Sequence, residues 1–205
     1  MLLRNDGMLG GESDTNEEAR RLFATLENHF QLIRENFHLD RTLQAQAVST
    51  SVPEDFKGGM GKLLRHYLAI QSSLANDDFA GAKKAADKFV AAFRGIDTKL
   101  LKGETRHIWM LNLDNLTAGK DKVLGARNIE ELRQGFERLS IGMAGAIERL
   151  GVDVKGPVFE LFCPMAFNNK GATWLQQDQV TRNPYLGAKM LDCGEVKRQL
   201  KGERS

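Results

Sequence analysis

The sequence predicts a mainly α-helical protein, built as a four-helix up-down bundle with a small irregular or β-containing C-terminal cap. Three observations support this fold class. Four stretches between residues 54 and 150 repeat apolar side chains at helical spacing, and the connections between them are short. After Gly156-Pro157 this period stops and turn-forming residues dominate. The composition, with 41% hydrophobic and 27% charged residues among 205, is that of a globular protein.

The chain before the bundle divides into two parts. Residues 1–15 contain glycine, aspartate and serine with little apolar pattern, so we expect them to be disordered or to derive from cloning. Across residues 16–48 apolar side chains recur at roughly helical spacing, which predicts an N-terminal helical segment. A linker containing Pro53 ends that segment, and the bundle with its cap is expected over residues 54–200.

The four bundle helices are expected at about residues 54–76, 79–94, 104–125 and 129–150. Several of their ends carry recognisable signals. Asp77 or Asp78 can cap the second helix, because a side-chain oxygen there accepts a bond from a free backbone N–H. Asn128, with Glu131 three residues later, resembles a capping box at the start of the fourth helix. Gly151 is a typical stop signal at its end.

The cap is expected to be short and rich in turns. Val158–Phe162 is apolar enough to form a short strand. Turn residues follow at Asn168–Gly171 and again at Asn183–Gly187. Trp174 and Tyr185 are the large aromatic residues of this region, and we expect them to anchor the cap on the bundle.

Several function classes find no support in the chain. The net charge of +2 is too small to indicate nucleic-acid binding, and no apolar run approaches the ~20 residues that span a bilayer. The first residues show no apolar signal-peptide core. Gly58–Lys62 departs from the phosphate-loop pattern, and no histidine lies near either cysteine in the sequence, so we do not expect an enzyme. The basic C-terminal end, Lys197–Arg204, is expected to be a solvated tail.

The two cysteines are the candidate functional residues. Cys163 lies two residues from Met165, and Cys193 lies three residues from Met190. Thiolate and thioether sulfurs are soft ligands that favour Cu(I), and thiolate also suits Zn. Two other interpretations stay open: a disulfide closing a loop of about 30 residues, worth ~3–4 kcal/mol, or sulfurs that only fill the core of the cap. The metal and disulfide interpretations both require Cys163 and Cys193 to lie close in space.

The same region resembles a known family. It resembles the uncharacterised helical domain found at the C-terminus of periplasmic adaptor proteins (membrane-fusion proteins) of copper/silver RND efflux pumps, and also as small exported proteins. The resemblance spans about residues 60–197 and is most specific at four motifs, Cys163–Phe167, Lys170–Gln176, Asn183–Gly187 and Met190–Glu195. Residues 35–46, within the predicted N-terminal helical segment, are similar to the end of the adaptor proper.

The resemblance implies an exported, periplasmic protein linked to copper or silver, with pump components as partners. With the sulfur pattern, it favours a metal site formed by Cys163, Met165, Met190 and Cys193, which would hold Cu(I) or Ag(I) and, more weakly, Zn(II). We therefore expect a heavy-metal-binding accessory domain of RND-type efflux. The rival is a non-metal helical interaction module with a Cys163–Cys193 disulfide, and a third class is a thiol redox protein that uses Cys163.

Overall fold

A computed structural model of the protein describes residues 51–200, together with Arg21 and Thr25. The chain divides into two compact units, residues 1–49 and 50–205, and the description below concerns the second. The predicted disorder of residues 1–15 and most of the predicted helix over 16–48 lie outside the described residues. Arg21 and Thr25 are themselves helical.

Four long helices form the bundle, which confirms the predicted fold class. They are α1 (Glu54–Ala75), α2 (Phe79–Arg94), α3 (Gly103–Gly125) and α4 (Ile129–Leu150). A single 3-10 turn, Thr98–Leu100, lies between α2 and α3. Helix α1 packs along α2 and helix α3 along α4, and α1 also contacts α4. Each predicted helix boundary lies within one residue of the observed boundary, because local periodicity and end signals agree along this part of the chain.

The helix ends use the residues that the sequence marked. Asp78, rather than Asp77, caps α2 by accepting a 2.8 Å hydrogen bond from the Gly81 N–H. Asn128 caps α4 by accepting a 2.9 Å bond from the Glu131 N–H. Gly151 ends α4 with φ at +76°, a conformation that side chains other than glycine rarely adopt.

Glycines allow α3 and α4 to approach closely. A Cβ at Gly119 would lie 2.7 Å from the backbone nitrogen of Leu139, and one at Gly142 would lie 2.7 Å from Cγ of Leu116. Both distances are far below van der Waals contact, so the two helices can keep this spacing only while both positions lack a side chain. Leu116 and Leu139 are fully buried there.

The cap contains a three-stranded antiparallel sheet with strand order β2-β1-β3. The strands are β1 (Val158–Cys163), β2 (Ala172–Gln176) and β3 (Glu195–Leu200). The predicted strand in the cap is therefore confirmed as the central strand β1. It is flanked by two strands that sequence analysis did not predict.

Strand β3 corrects part of the expectation for the basic C-terminal end: as far as residue 200 it is a paired strand and not a tail, although Lys197 and Arg198 are exposed to solvent as expected. Its charges have fixed partners, because the Arg198 guanidinium pairs with Glu160 at 2.6 Å and also with Glu148 on α4. Leu200 is buried opposite Val158 of β1. Residues 201–205 lie outside the described residues.

Two tyrosines join the sheet to the bundle through strand β2. The Leu175 N–H donates a 3.0 Å hydrogen bond to the hydroxyl of Tyr67 on α1. The Tyr185 hydroxyl donates to the Thr173 carbonyl. Both tyrosines also contact the Ser140 hydroxyl on α4, at 2.7 and 3.2 Å. Tyr67 of α1 and Tyr185 of the cap thus satisfy backbone groups of β2 that would otherwise be left unpaired, and Ser140 of α4 holds both hydroxyls.

Candidate cysteine site

The two cysteines lie in direct contact. Cys163 is the last residue of β1, Cys193 lies just before β3, and their Sγ atoms are 2.8 Å apart. The expectation that two residues 30 positions apart meet in space is confirmed. Both are present as free thiols, with Cys163 buried and Cys193 partly exposed.

The pairing of β3 with β1 brings the thiols together. Phe162 lies opposite Glu195 in this ladder, so the chain just before β3 must run beside the end of β1. Gly194 makes this possible with φ at +144°. A Cβ at that position would lie 2.5 Å from Cη2 of Trp174, so the backbone passes against the buried indole. Trp174 is fully buried, which confirms its predicted role as an anchor of the cap.

Asn183 holds the loop that carries Cys193. Its side-chain amide donates a 2.6 Å hydrogen bond to the Cys193 carbonyl. Its side-chain carbonyl accepts bonds from the N–H groups of Tyr185 and Leu186, at 2.8 and 3.1 Å. Its own N–H donates to the Leu191 carbonyl at 2.8 Å. Asn183 is fully buried, and these four bonds fix the turn between β2 and Cys193.

Both predicted methionine ligands contact Cys193 through their backbones. The Met165 N–H donates to the Cys193 sulfur, and the Cys193 N–H donates a 3.1 Å bond to the Met190 carbonyl. Their side chains are 44% and 40% exposed, whereas Met60 and Met143 in the bundle core are fully buried. All four residues predicted from the sequence therefore belong to one region, with the two methionine side chains on its surface.

The chain leaves Met165 through an uncommon turn. Phe167, Asn168 and Asn169 all have positive φ values, between 52° and 66°. This conformation is tolerated by asparagine but is rare for phenylalanine. The Phe167 ring packs on Tyr185 with 5.2 Å between the ring centroids, and this contact helps to hold the turn. The two asparagines were the visible signal for a turn, whereas nothing in the sequence marked Phe167.

The Cys193 thiol favours the protonated state at neutral pH. The hydrogen bond with Cys163 raises the pKa of Cys193 to about 11, and partial burial and the negative charge of a Cys163 thiolate add to this effect. The Met165 N–H acts in the opposite direction by stabilising the Cys193 thiolate. Cys193 is thus not an activated nucleophile, and a metal ion that binds its sulfur must displace a proton.

A polar network that the sequence did not reveal fixes the cap to the bundle beside this site. Arg133 on α4 is almost fully buried and donates to the Pro184 carbonyl at 2.8 Å and to the Asp77 carboxylate at 2.6 Å. The other oxygen of that carboxylate accepts a 2.9 Å bond from the Ala188 N–H. The Ala188 N–H and Arg133 together lower the pKa of Asp77. Asp77, expected as a possible helix cap, instead holds the turn that follows Asn183.

The surroundings limit the kinds of metal site that can form. Among residues 51–200 with Arg21 and Thr25, no group of three or more histidine, cysteine, aspartate or glutamate side chains is arranged to hold a metal ion. His66 on α1 is partly buried and His107 on α3 is exposed. A metal at this site would therefore rest on the two thiols and on sulfur atoms of methionine.

Over the same described part of the chain, no helix is long and apolar enough to cross a membrane.

Comparisons with known proteins found a family match for the helical bundle but none for the cap. The model of a family described as a protein of unknown function (DUF3347) matches residues 63–155. This range covers most of the helical bundle and ends before β1, so it includes neither cysteine. Comparisons with curated proteins and with solved structures found no match. The bundle is thus similar to an uncharacterised domain family, while the resemblance of the cap to efflux adaptors stays a prediction.

Proposed function

We propose that Cys163 and Cys193 bind one Cu(I) or Ag(I) ion, with the thioethers of Met165 and Met190 as additional ligands. The observation that carries the proposal is the 2.8 Å contact between two free thiols beside two surface methionines. Sulfur ligands without carboxylate or imidazole favour soft monovalent ions over harder divalent ones. Zn(II) prefers four nitrogen or sulfur ligands and should bind more weakly.

Metal binding requires a modest opening of the thiol pair. Two thiolates at about 2.3 Å from one ion are separated by about 3.8 Å in tetrahedral geometry, so the sulfurs must move apart by roughly 1 Å. Cys163 is buried in the central strand of the sheet, whereas Cys193 lies in a partly exposed loop next to Gly194. We therefore expect the Cys193 side chain, rather than that of Cys163, to make this movement.

The proposed biological setting rests on the sequence motifs of the cap. Their similarity to the C-terminal domain of copper/silver efflux adaptors suggests a periplasmic protein. Such a protein would hold the ion and deliver it to RND pump components, or would modulate the pump. The bundle would serve as the scaffold that presents the site.

A competition titration tests the metal proposal. Reduced full-length protein is titrated under anaerobic conditions against a coloured Cu(I) chelator, and we expect about one ion bound per chain. The matched control is the Cys163→Ser/Cys193→Ser double variant, whose circular dichroism verifies that the bundle is intact. Binding by the wild type that is no tighter than by this variant would refute the proposal.

The second candidate is a helical interaction module whose cap is closed by a Cys163–Cys193 disulfide. The same short contact favours it, because a disulfide needs about 2.05 Å between the sulfurs and so requires a movement of less than 1 Å. Thiol counting on protein purified without reductant separates the two. A count of two free thiols would contradict the interaction module with a disulfide. A count of zero free thiols would contradict a resident metal site.

A further inference from the structure

The two thiols of the site are unequal in their access to solvent. Cys163 has no exposed surface and is the last residue of the central strand β1, where it pairs with Ala172 of β2. Cys193 is partly exposed and lies outside the strands. A reagent in solution can therefore reach the Cys193 sulfur first, and the Cys163 sulfur only by way of it.

We propose that Cys193 is a thiol–disulfide exchange site and that Cys163 is its resolving thiol. In the first step the Cys193 thiol loses its proton and its sulfur attacks a low-molecular-mass disulfide, which forms a mixed disulfide and releases one thiol. In the second step the Cys163 sulfur attacks Cys193 and forms the Cys163–Cys193 disulfide, and the second thiol leaves. Two protein thiols are oxidised, one external disulfide is reduced to two thiols, and the two protons end on those thiols.

The geometry supports both steps. The Cys193 sulfur belongs to a partly exposed residue, so a disulfide in solution can reach it for the first attack. The 2.8 Å contact places the Cys163 sulfur beside the atom that it must attack in the second step. Because Asn183 fixes the backbone of Cys193, the mixed disulfide stays next to Cys163.

One consequence rests on the proposed function. A metal ligand must be a thiolate, so the oxidised pair cannot bind Cu(I) or Ag(I). A disulfide compound would then close the metal site, and a reductant would reopen it. The order in which the two thiols react does not depend on whether the protein binds metal.

The test uses 5,5′-dithiobis(2-nitrobenzoate), an aromatic disulfide, on the reduced full-length protein. We expect the wild type to consume one reagent molecule, release two coloured thiols and retain no adduct by intact mass. Cys163→Ser should release one thiol and keep the adduct on Cys193. Cys193→Ser should react at least about tenfold more slowly, because its remaining thiol is buried.

Unfolding in urea provides the control for these variants. Both single variants should react at equal rates in urea, which shows that burial causes the difference between them in the folded protein. A Cys193→Ser variant that reacts as fast as Cys163→Ser without urea would overturn the inference, as would a stable adduct on the wild type. A separate Cu(I) titration of the reduced protein that shows no binding would remove only the proposed metal function.

Discussion

Replacing Tyr67 with phenylalanine tests whether the buried hydroxyl group joins the bundle to the cap. The ring should stay in place, since it stacks on Phe136 with 4.7 Å between the centroids and phenylalanine keeps that contact. The change removes only the oxygen that contacts the Ser140 hydroxyl and accepts from the Leu175 N–H. Leu175 is fully buried, so water cannot replace the tyrosine oxygen as the hydrogen-bond acceptor for its N–H.

The expected loss of stability follows from these two bonds. A buried N–H left without a partner costs about 1–3 kcal/mol, and the lost hydroxyl pair adds about 0.5–1.5 kcal/mol. Ser140 keeps its own bond to the Phe136 carbonyl at 2.9 Å, so it is not left unpaired. We therefore expect Tyr67→Phe to lower the free energy of unfolding by about 1.5–4.5 kcal/mol, a large part of the total stability of a domain.

Urea unfolding of the full-length chain, followed by circular dichroism, measures this free energy. Ser140→Ala is the comparison variant, because it removes a hydroxyl partner of Tyr67 and of Tyr185 but leaves the Tyr67 hydroxyl able to accept from the Leu175 N–H. It should cost about 1–3 kcal/mol, because the buried Tyr67 donor loses its partner. A loss below about 0.5 kcal/mol for Tyr67→Phe would show that the Leu175 N–H finds another partner and that our reasoning is wrong.

Three further predictions concern the cap. Gly187→Ala should destabilise the protein by about 1–3 kcal/mol in urea unfolding, because φ at Gly187 is +56° and the new Cβ would lie 2.0 Å from the Asp77 carboxylate. The control is Gly58→Ala in α1, where a Cβ meets nothing within 4 Å, and this change should be neutral or stabilising. The bonds that lower the pKa of Asp77 stabilise the protein fully when the pH is above 3.8, the ordinary pKa of an aspartate, and this stabilisation is lost as the pH falls through the lower pKa of the folded state. The free energy of unfolding, measured from pH 6 to pH 2, should therefore fall less in Asp77→Asn than in the wild type. Iodoacetamide should alkylate Cys193 slowly at pH 8, and at least about tenfold faster in Cys163→Ala, because the partner thiol is the largest cause of the raised pKa; equal rates in the two proteins would contradict that cause.

Local signals in the sequence were sufficient to locate the helices. Their apolar period repeats within each segment, and caps such as Asn128 and Gly151 act on residues a few positions away. The strand β3 could not be found in this way. Its sequence, Glu195–Leu200, is mostly charged or polar, and Arg198 becomes ordered by pairing with Glu148 and Glu160, which lie 50 and 38 positions earlier in the chain.

The candidate site residues can be named from the sequence alone, because two cysteines, each with a nearby methionine, form a chemical pattern that needs no coordinates. The differences between those residues arise from the fold. The pairing of β3 with β1 brings the two sulfurs within 2.8 Å and buries Cys163 while leaving Cys193 partly exposed. It also gave Asp77 its role with Arg133, although the neighbouring Asp78 carries the same carboxylate. Burial and long-range pairing depend on the whole arrangement of chain segments, so no local stretch of sequence encodes them.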